Sequence, residues 1–220
     1  MSSAEKPVRE KIIQATFNCI EKEGIHSLTT RSIAKEAGVN SAAINYYFGT
    51  KEKLIEEALR YAIDNALGDS AAIMTGQYEN PHLNLYIIFS FFFTGMLRYP
   101  GLMKALFYDP FISNDYTGVF IKRFSKLLEE FLQRIAPLVP EENRAGLKLS
   151  LIQMCSSIVA MGLFPSLFQD FLGFDFRDPN RQKEYIDHLF QHYNLGIKFE
   201  GSAEQRKLAE QITNYYLQNG

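Results

Sequence analysis

The chain has 220 residues, 46% hydrophobic and 22% charged, with 18 Phe and 12 Tyr. That much apolar surface excludes a disordered chain and suffices for a sizeable core. The 23 Lys and Arg stand against 25 Asp and Glu, a formal charge of −2, which excludes a global attraction to nucleic acid and makes any basic footprint local.

Helical spacing first appears over residues 8–23, where Ile12, Ile13, Thr16, Phe17 and Ile20 recur at three- and four-residue steps. Gly24 ends that helix. Thr29 caps a short second helix with Ile33, Ala34 and Ala37 inward, and Gly38 breaks it. Asn40 caps a third, Ser41 to Phe48, with Ile44 and Phe48 inward. After Gly49, Thr50 caps a fourth helix running from Lys51 to about Leu67, where Gly68 is expected to stop it.

Longer helical patterns follow at Leu83–Arg98, Thr117–Ala136, Glu142–Leu172, Arg181–Leu195 and Ser202–Leu217. Breaks are expected at Gly76–Pro81, Tyr99–Gly101, Asp109–Pro110, Asn114–Asp115, Pro137–Glu141, Gly173–Asn180 and Glu200–Gly201. No sustained period-two alternation occurs, so the fold class is all-α, with nine or ten helices. The apolar stretches Leu83–Leu97 and Leu151–Phe168 read as buried core helices rather than membrane spans. The first is short, and the second carries Gln153, Ser156, Ser157 and Pro165.

The stretch that carries chemistry is Thr29 to Lys53. Ala34 lets two short helices cross closely, Gly38 permits the sharp turn and Ile44 fills the contact, which are the requirements of a helix-turn-helix. The outward face of the third helix offers Asn40, Ser41, Ala42, Asn45, Tyr46 and Tyr47, side chains suited to base edges, sugars and phosphates. From His26 to Lys53 the cations Arg31, Lys35, Lys51 and Lys53 outnumber the anions Glu36 and Glu52, four to two. Helix starts near Thr30 and Lys51 add amides that can hold phosphate.

This segment resembles the DNA-binding domain of the TetR family of bacterial transcriptional regulators. Leu28-Thr29-Thr30-Arg31, Ile33-Ala34, Ala37-Gly38-Val39-Asn40, Phe48 and Lys51-Glu52-Lys53-Leu54 fall in register with the family pattern. Asn45 stands where a tyrosine is usual, and Tyr47 where His is common. The resemblance covers residues 8 to 60. It implies that Thr30 and Arg31 contact the backbone or an adjacent base, and that Asn40, Ser41, Ala42, Ala43 and Asn45 enter the major groove. It further implies that Tyr46 and Tyr47 meet a sugar, methyl or phosphate, and that Lys51 binds phosphate.

Other classes fit less well. No G-x-S-x-G, phosphate-binding glycine loop or G-x-G-x-x-G occurs, so no enzyme is expected. Cys19 and Cys155 lie far apart, with no CxxC or Cys/His cluster, and read as buried reduced thiols of a cytoplasmic protein. The polar start of the chain does not read as a signal peptide, and none is expected. Glu184, His188 and His192 share a helix face but read as a polar stripe; no metal or cofactor is expected.

The aromatic abundance of the C-terminal part, with Phe89, Phe91, Phe92 and Phe93 pointing around one helix, suggests an apolar cavity, and the resemblance places an effector pocket there. Candidate lining residues are Phe89, Phe92, Phe93, Met103, Phe107, Phe124 and Met161; Arg98 and Arg123 lie in the same region. Small residues Ser156, Ser157, Ala160 and Gly162 mark a candidate dimer face in helices near 145–163 and 180–196.

The expected architecture is an N-terminal three-helix DNA-binding domain, residues 1–54, followed by a helical effector-binding and dimerisation domain, residues 55–220. The expected function is a homodimeric repressor, released from a palindromic double-stranded DNA operator by an apolar or aromatic small molecule, with no membrane partner. A DNA-binding protein governed by a protein partner instead of a small molecule is the alternative.

Overall fold

In the computed structural model, which describes residues 5–75, 81–193 and 203–219, every regular element is a helix. The chain divides into two compact units. Residues up to 66 join residues 99–121 in the first, and residues 67–98 join those from 122 onward in the second.

The first unit is built on α1 (Glu5–Glu23), followed by α2 (Thr30–Ala37), α3 (Ser41–Phe48) and α4 (Lys51–Thr75). Ile12, Ile13, Cys19 and Ile20 of α1 are buried against Ile33 and Ala34 of α2, Ile44 and Phe48 of α3, and Leu54 and Ala58 of α4. Thr16, fully buried among them, donates its hydroxyl back to the Ile12 carbonyl at 2.8 Å. Beyond α5 (Pro81–Arg98), two short helices return to this unit, α6 (Pro100–Leu106) and α7 (Tyr108–Ile112).

The start of α6 sits hard against the end of α1. Glu21 accepts from the Gly101 and Leu102 amides at 3.1 and 3.0 Å, so a carboxylate supplies the cap that Tyr99 does not. Phe17 meets Tyr99 edge-on at 5.3 Å, and His26 meets Tyr108 at 4.4 Å.

The second unit is organised by α5, whose residues from Leu83 to Phe93 are buried at nearly every position. Around it pack α9 (Glu141–Leu163), α11 (Pro179–His192) and α12 (Ala203–Asn219). Helices α8 (Val119–Ile135) and α10 (Gln169–Leu172), with 3₁₀ turns at Ala136–Leu138 and Pro165–Leu167, complete the described elements. At the crossing of α5 and α9, a Cβ on Gly162 would stand 2.7 Å from the Met96 Cβ, so only glycine allows that approach. Tyr86 donates to Asp187 and Thr94 to Gln182, both at 2.9 Å, tying α5 to α11.

The all-α class stands, and several boundaries shift. Gly68 does not stop α4, which continues to Thr75; a mid-helix glycine costs about 1 kcal/mol, too little to end a long helix. Asp109-Pro110 lies inside α7 rather than at a break, because proline in a first turn lacks only an amide that had no helical partner. The single helix expected over Glu142–Leu172 ends at Leu163, since Pro165 cannot continue it; a 3₁₀ turn and α10 follow, closed by Gly173 at φ 71. The expected break over 76–80, the helix end at Leu195 and the break at Glu200–Gly201 lie outside the described residues.

Leu83–Leu97 is core, as expected. Residues 144–163 are long and apolar enough to cross a membrane, and a third of that stretch is buried within the fold. Cys19 and Cys155 are both buried free thiols, and burial pushes the Cys155 thiol up to about 12.

Two glycines test this account. A Cβ at Gly101 would meet the Glu21 Cα at 2.7 Å and the Ile20 carbonyl oxygen at 2.8 Å, so Gly101→Ala should lose roughly 1–3 kcal/mol. Nothing lies near Gly68, and Gly68→Ala should gain about 0.5–1 kcal/mol. Urea unfolding midpoints of the two variants should move in opposite directions.

Candidate nucleic-acid interface

Thr29 and Ser32 begin α2 with a reciprocal capping box. The Ser32 amide donates to the Thr29 hydroxyl at 3.0 Å, and the Thr29 amide donates to the Ser32 hydroxyl at 3.2 Å. The buried methyl of Ala34 allows a close crossing. Gly38 follows at φ 62, ψ 37, while the Val39 amide closes back on the Ala34 carbonyl at 3.0 Å. Only residues that tolerate a left-handed backbone make this turn cheaply.

Asn40 then starts α3, its side-chain oxygen accepting from the Ala43 amide at 2.9 Å. Gly49, at φ 76, ends α3 after two turns. Thr50 accepts from the Lys53 amide at 3.2 Å to begin α4.

The burial pattern of α3 gives it one inner and one outer face. Ile44 and Phe48 are buried, while Asn40, Ser41, Ala42, Asn45 and Tyr46 are exposed, Tyr46 at 74%. Four-residue spacing lines Ser41 up with Asn45 and Ala42 with Tyr46. The result is a narrow strip of one hydroxyl, one amide, one methyl and one phenol. Ala43 and Tyr47 differ from the other candidates: both are half-buried and pack against the core. Arg31 is exposed in the first turn of α2, next to the half-buried Thr30.

Two charges are engaged in ways the sequence did not reveal. The Lys51 ammonium donates to the Leu28 carbonyl at 3.1 Å, fastening the start of α4 to the entry of α2. Glu36 accepts from Lys22 at 2.9 Å and Asn18 at 3.3 Å, both on α1. Those bonds hold its carboxyl below the usual carboxylate range, the Lys22 bond most strongly. An anion counted against phosphate binding is therefore matched locally by a cation outside the motif. Arg9 of α1 was also missed; its guanidinium pairs with Glu57 of α4 and lies over the Phe48 ring. No local signal could have linked residues so far apart in the chain.

The expected effector residues fall in both units. Phe89 and Phe93 are fully buried in α5, with Phe93 5.4 Å from Phe176 and 5.1 Å from Tyr185 between ring centres. Phe92, Phe124 and Met161 are half-buried in the same unit. Met103 and Phe107 belong to the first unit, where Phe107 meets Phe120 edge-on at 4.9 Å.

Arg98 and Arg123 are exposed. His188 and His192 stack at 6.5 Å on the exposed side of α11, and among the described residues no three His, Cys, Asp or Glu side chains converge on a metal-sized site. The outer side of α9 carries exposed Leu149 and Ile152, and Phe164, Leu167 and Phe171 follow it as exposed apolar residues.

Comparison with known proteins finds one match to this segment and others of different extent. Residues 12–58 match the family model of bacterial regulatory proteins of the tetR family. The HTH-type transcriptional regulator BetI of Vibrio atlanticus is 42% identical over 60 residues, covering 27% of this chain and 28% of that protein. The nucleoid occlusion factor SlmA of Marinobacter nauticus is 26% identical over 149 residues, covering 67% of this chain and 75% of that protein. A TetR-family member from Streptomyces coelicolor A3 shares the fold at a TM-score of 0.52 and 19% identity, over 83% of this chain and 97% of that one. The chain covers 28% to 48% of the length of the BetI relatives it matches.

The cap that aims α3 can be tested without DNA. Asn40→Ala removes the acceptor of the Ala43 amide and should cost about 1 kcal/mol of stability. Asn40→Asp, which keeps the acceptor, should restore most of it, as read from thermal unfolding.

Proposed function

We propose that this chain, whose residues 12–58 match the family model of bacterial regulatory proteins of the tetR family, is a cytoplasmic repressor that binds a palindromic operator as a homodimer. The observation that carries this reading is the exposed strip of α3, held outward by a capped and tightly turned helix-turn-helix. A helix of this width enters the major groove. There Asn45 can pair with the Hoogsteen edge of adenine, Ala42 can rest on a thymine methyl, and Ser41 and Tyr46 can bond base edges or phosphate. Arg31 and the first-turn amides of α2 and α4 hold the flanking backbone. Lys51, one of whose protons goes to Leu28, has two more to offer a phosphate.

Two-fold symmetry follows from reading a palindrome. The apolar outer side of α9, with Leu149 69% exposed and Ile152 49%, is the surface proposed to meet its copy. DNA binding is assigned to residues 1–54, and dimerisation and effector binding to residues 55–220. The proposed effector is an apolar or aromatic small molecule. The aromatic packing around Phe89, Phe92 and Phe93 supports it, because opening such a site exposes little polar surface. The proposed link is α4, which runs unbroken from Lys51 to Thr75.

The experiment is selection of duplexes from a randomised pool by the full chain. A palindrome should emerge, bound by two copies, with affinity falling by a log–log salt slope of about −0.9 per phosphate engaged. Lys51→Ala should weaken all sequences alike and lower the slope by about one, whereas Asn45→Ala should relax sequence preference. Recovery of no duplex would refute DNA binding.

For the switch, apolar aromatic compounds that raise the melting temperature should also release the selected duplex. Phe92→Ala and Phe93→Ala should blunt that release while leaving compound-free affinity within about a few-fold. Normal release in both variants would place the effector elsewhere.

A further inference from the structure

We infer that Arg9 is the positioning residue that sets the direction of the recognition helix; this rests on the DNA-binding reading above but can fail separately from it. Helix α3 has eight residues and cannot hold a direction by itself. Its first end is fixed by the Gly38 turn and the Asn40 cap. Its last end is followed by Gly49 at φ 76, with Thr50 leading directly into α4, so a side-chain contact must oppose rotation there.

That contact is the ring of Phe48, the last residue of α3. The Arg9 guanidinium lies 5.2 Å from its centroid, and the same group pairs with Glu57 on α4. A planar guanidinium can rest its face on an aromatic ring while its edge donates to a carboxylate. One side chain from α1 thereby joins the end of the recognition helix to the helix that follows it.

Arg9 and Glu57 are each about two-thirds buried, at 31% and 28% side-chain exposure, and Arg9 lies outside the exposed strip of α3. Its charge is already matched, so its contribution to DNA binding is the attitude of α3 rather than neutralisation of a phosphate. A lysine would keep the charge but could not present a face and an edge together.

Three variants test this: Arg9→Lys, Phe48→Leu and their combination, with Glu57→Gln as an independent second route. In the free protein, Arg9→Lys should speed hydrogen exchange of the Asn45 to Phe48 amides about three- to ten-fold, leaving α2 amides unchanged. Against the duplex selected by the wild-type chain, it should weaken binding by a similar factor. Discrimination against point-mutated duplexes should fall, with the salt slope unaltered. The double variant should be no worse than the poorer single one, because both remove the same contact. Glu57→Gln should raise α3 exchange in the same selective way.

Unchanged α3 exchange in Arg9→Lys overturns the inference whatever the DNA result. Faster exchange throughout the unit makes Arg9 a general stabiliser and also overturns it. A salt slope reduced by about one makes Arg9 a phosphate contact instead. If the wild-type chain selects no duplex, the DNA-binding reading fails, while the exchange data still decide whether Arg9 holds α3.

Discussion

Two turns of helix have almost no stability in water, because the nucleating turn fixes several backbone angles for one hydrogen bond. The first unit is organised around that weakness. Ile44 and Phe48 insert α3 into a core whose largest contribution comes from α1, and each such buried side chain contributes about 1.5–3 kcal/mol. The cost of ordering α3 is therefore met by residues that never approach its outer strip. Asn40 and Gly49 define its two ends, and Arg9 braces the end that hydrophobic insertion alone would leave able to pivot. The exposed side chains of α3 contribute little to the fold, so they are available for recognition.

The second unit solves a different problem. Its central helix, α5, is apolar on all sides and must be covered all round. Coverage comes from α9, α11 and α12, with the rings of Phe93, Phe176 and Tyr185 in mutual edge and tilted contact. Aromatic pairs of this kind prefer specific geometries, and the hydrogen bonds from Tyr86 to Asp187 and from Thr94 to Gln182 fix α11 along α5. An interior of large planar side chains can exchange one ring contact for a ligand contact with little loss of buried area, which is the physical reason an effector is proposed there.

Local chemistry was the part of this protein most readable in its sequence. Thr29, Gly38, Asn40, Gly49 and Thr50 each do something a neighbour-scale rule describes, and α2 and α3 begin and end where those residues place them. Gly68 misled because a weak breaker is outweighed by cooperative propagation in a long helix. The stretch after residue 142 misled because apolar periodicity runs past Pro165, although the backbone cannot. The pairs Arg9 with Glu57 and Lys22 with Glu36 were not legible. They join segments brought close only by tertiary packing, and no neighbour-scale rule links residues so far apart in the chain. The same limit hid the return of α6 onto α1, because Glu21 is an ordinary exposed-looking glutamate until Gly101 is placed beside it.

Charge shows why composition alone is a poor guide to what such a protein binds. The whole chain carries a formal −2, yet the anions nearest the candidate interface are not equivalent to charges spread over a surface. Glu36 is bound by Lys22 and Asn18, and Glu57 by Arg9. A paired carboxylate projects a much weaker field than a lone one, and at physiological salt whatever remains decays over about 8 Å. Arg31 and Lys35 remain exposed along α2, and Lys53 does so in the first turn of α4. The field that an approaching polyanion meets at this segment is therefore set by these cations and the first-turn amides, opposed by exposed Glu52 beside Lys53. Under this arrangement a protein of net negative charge can still offer DNA a local basic footprint, because pairing removes part of the opposing charge where the polyanion would approach.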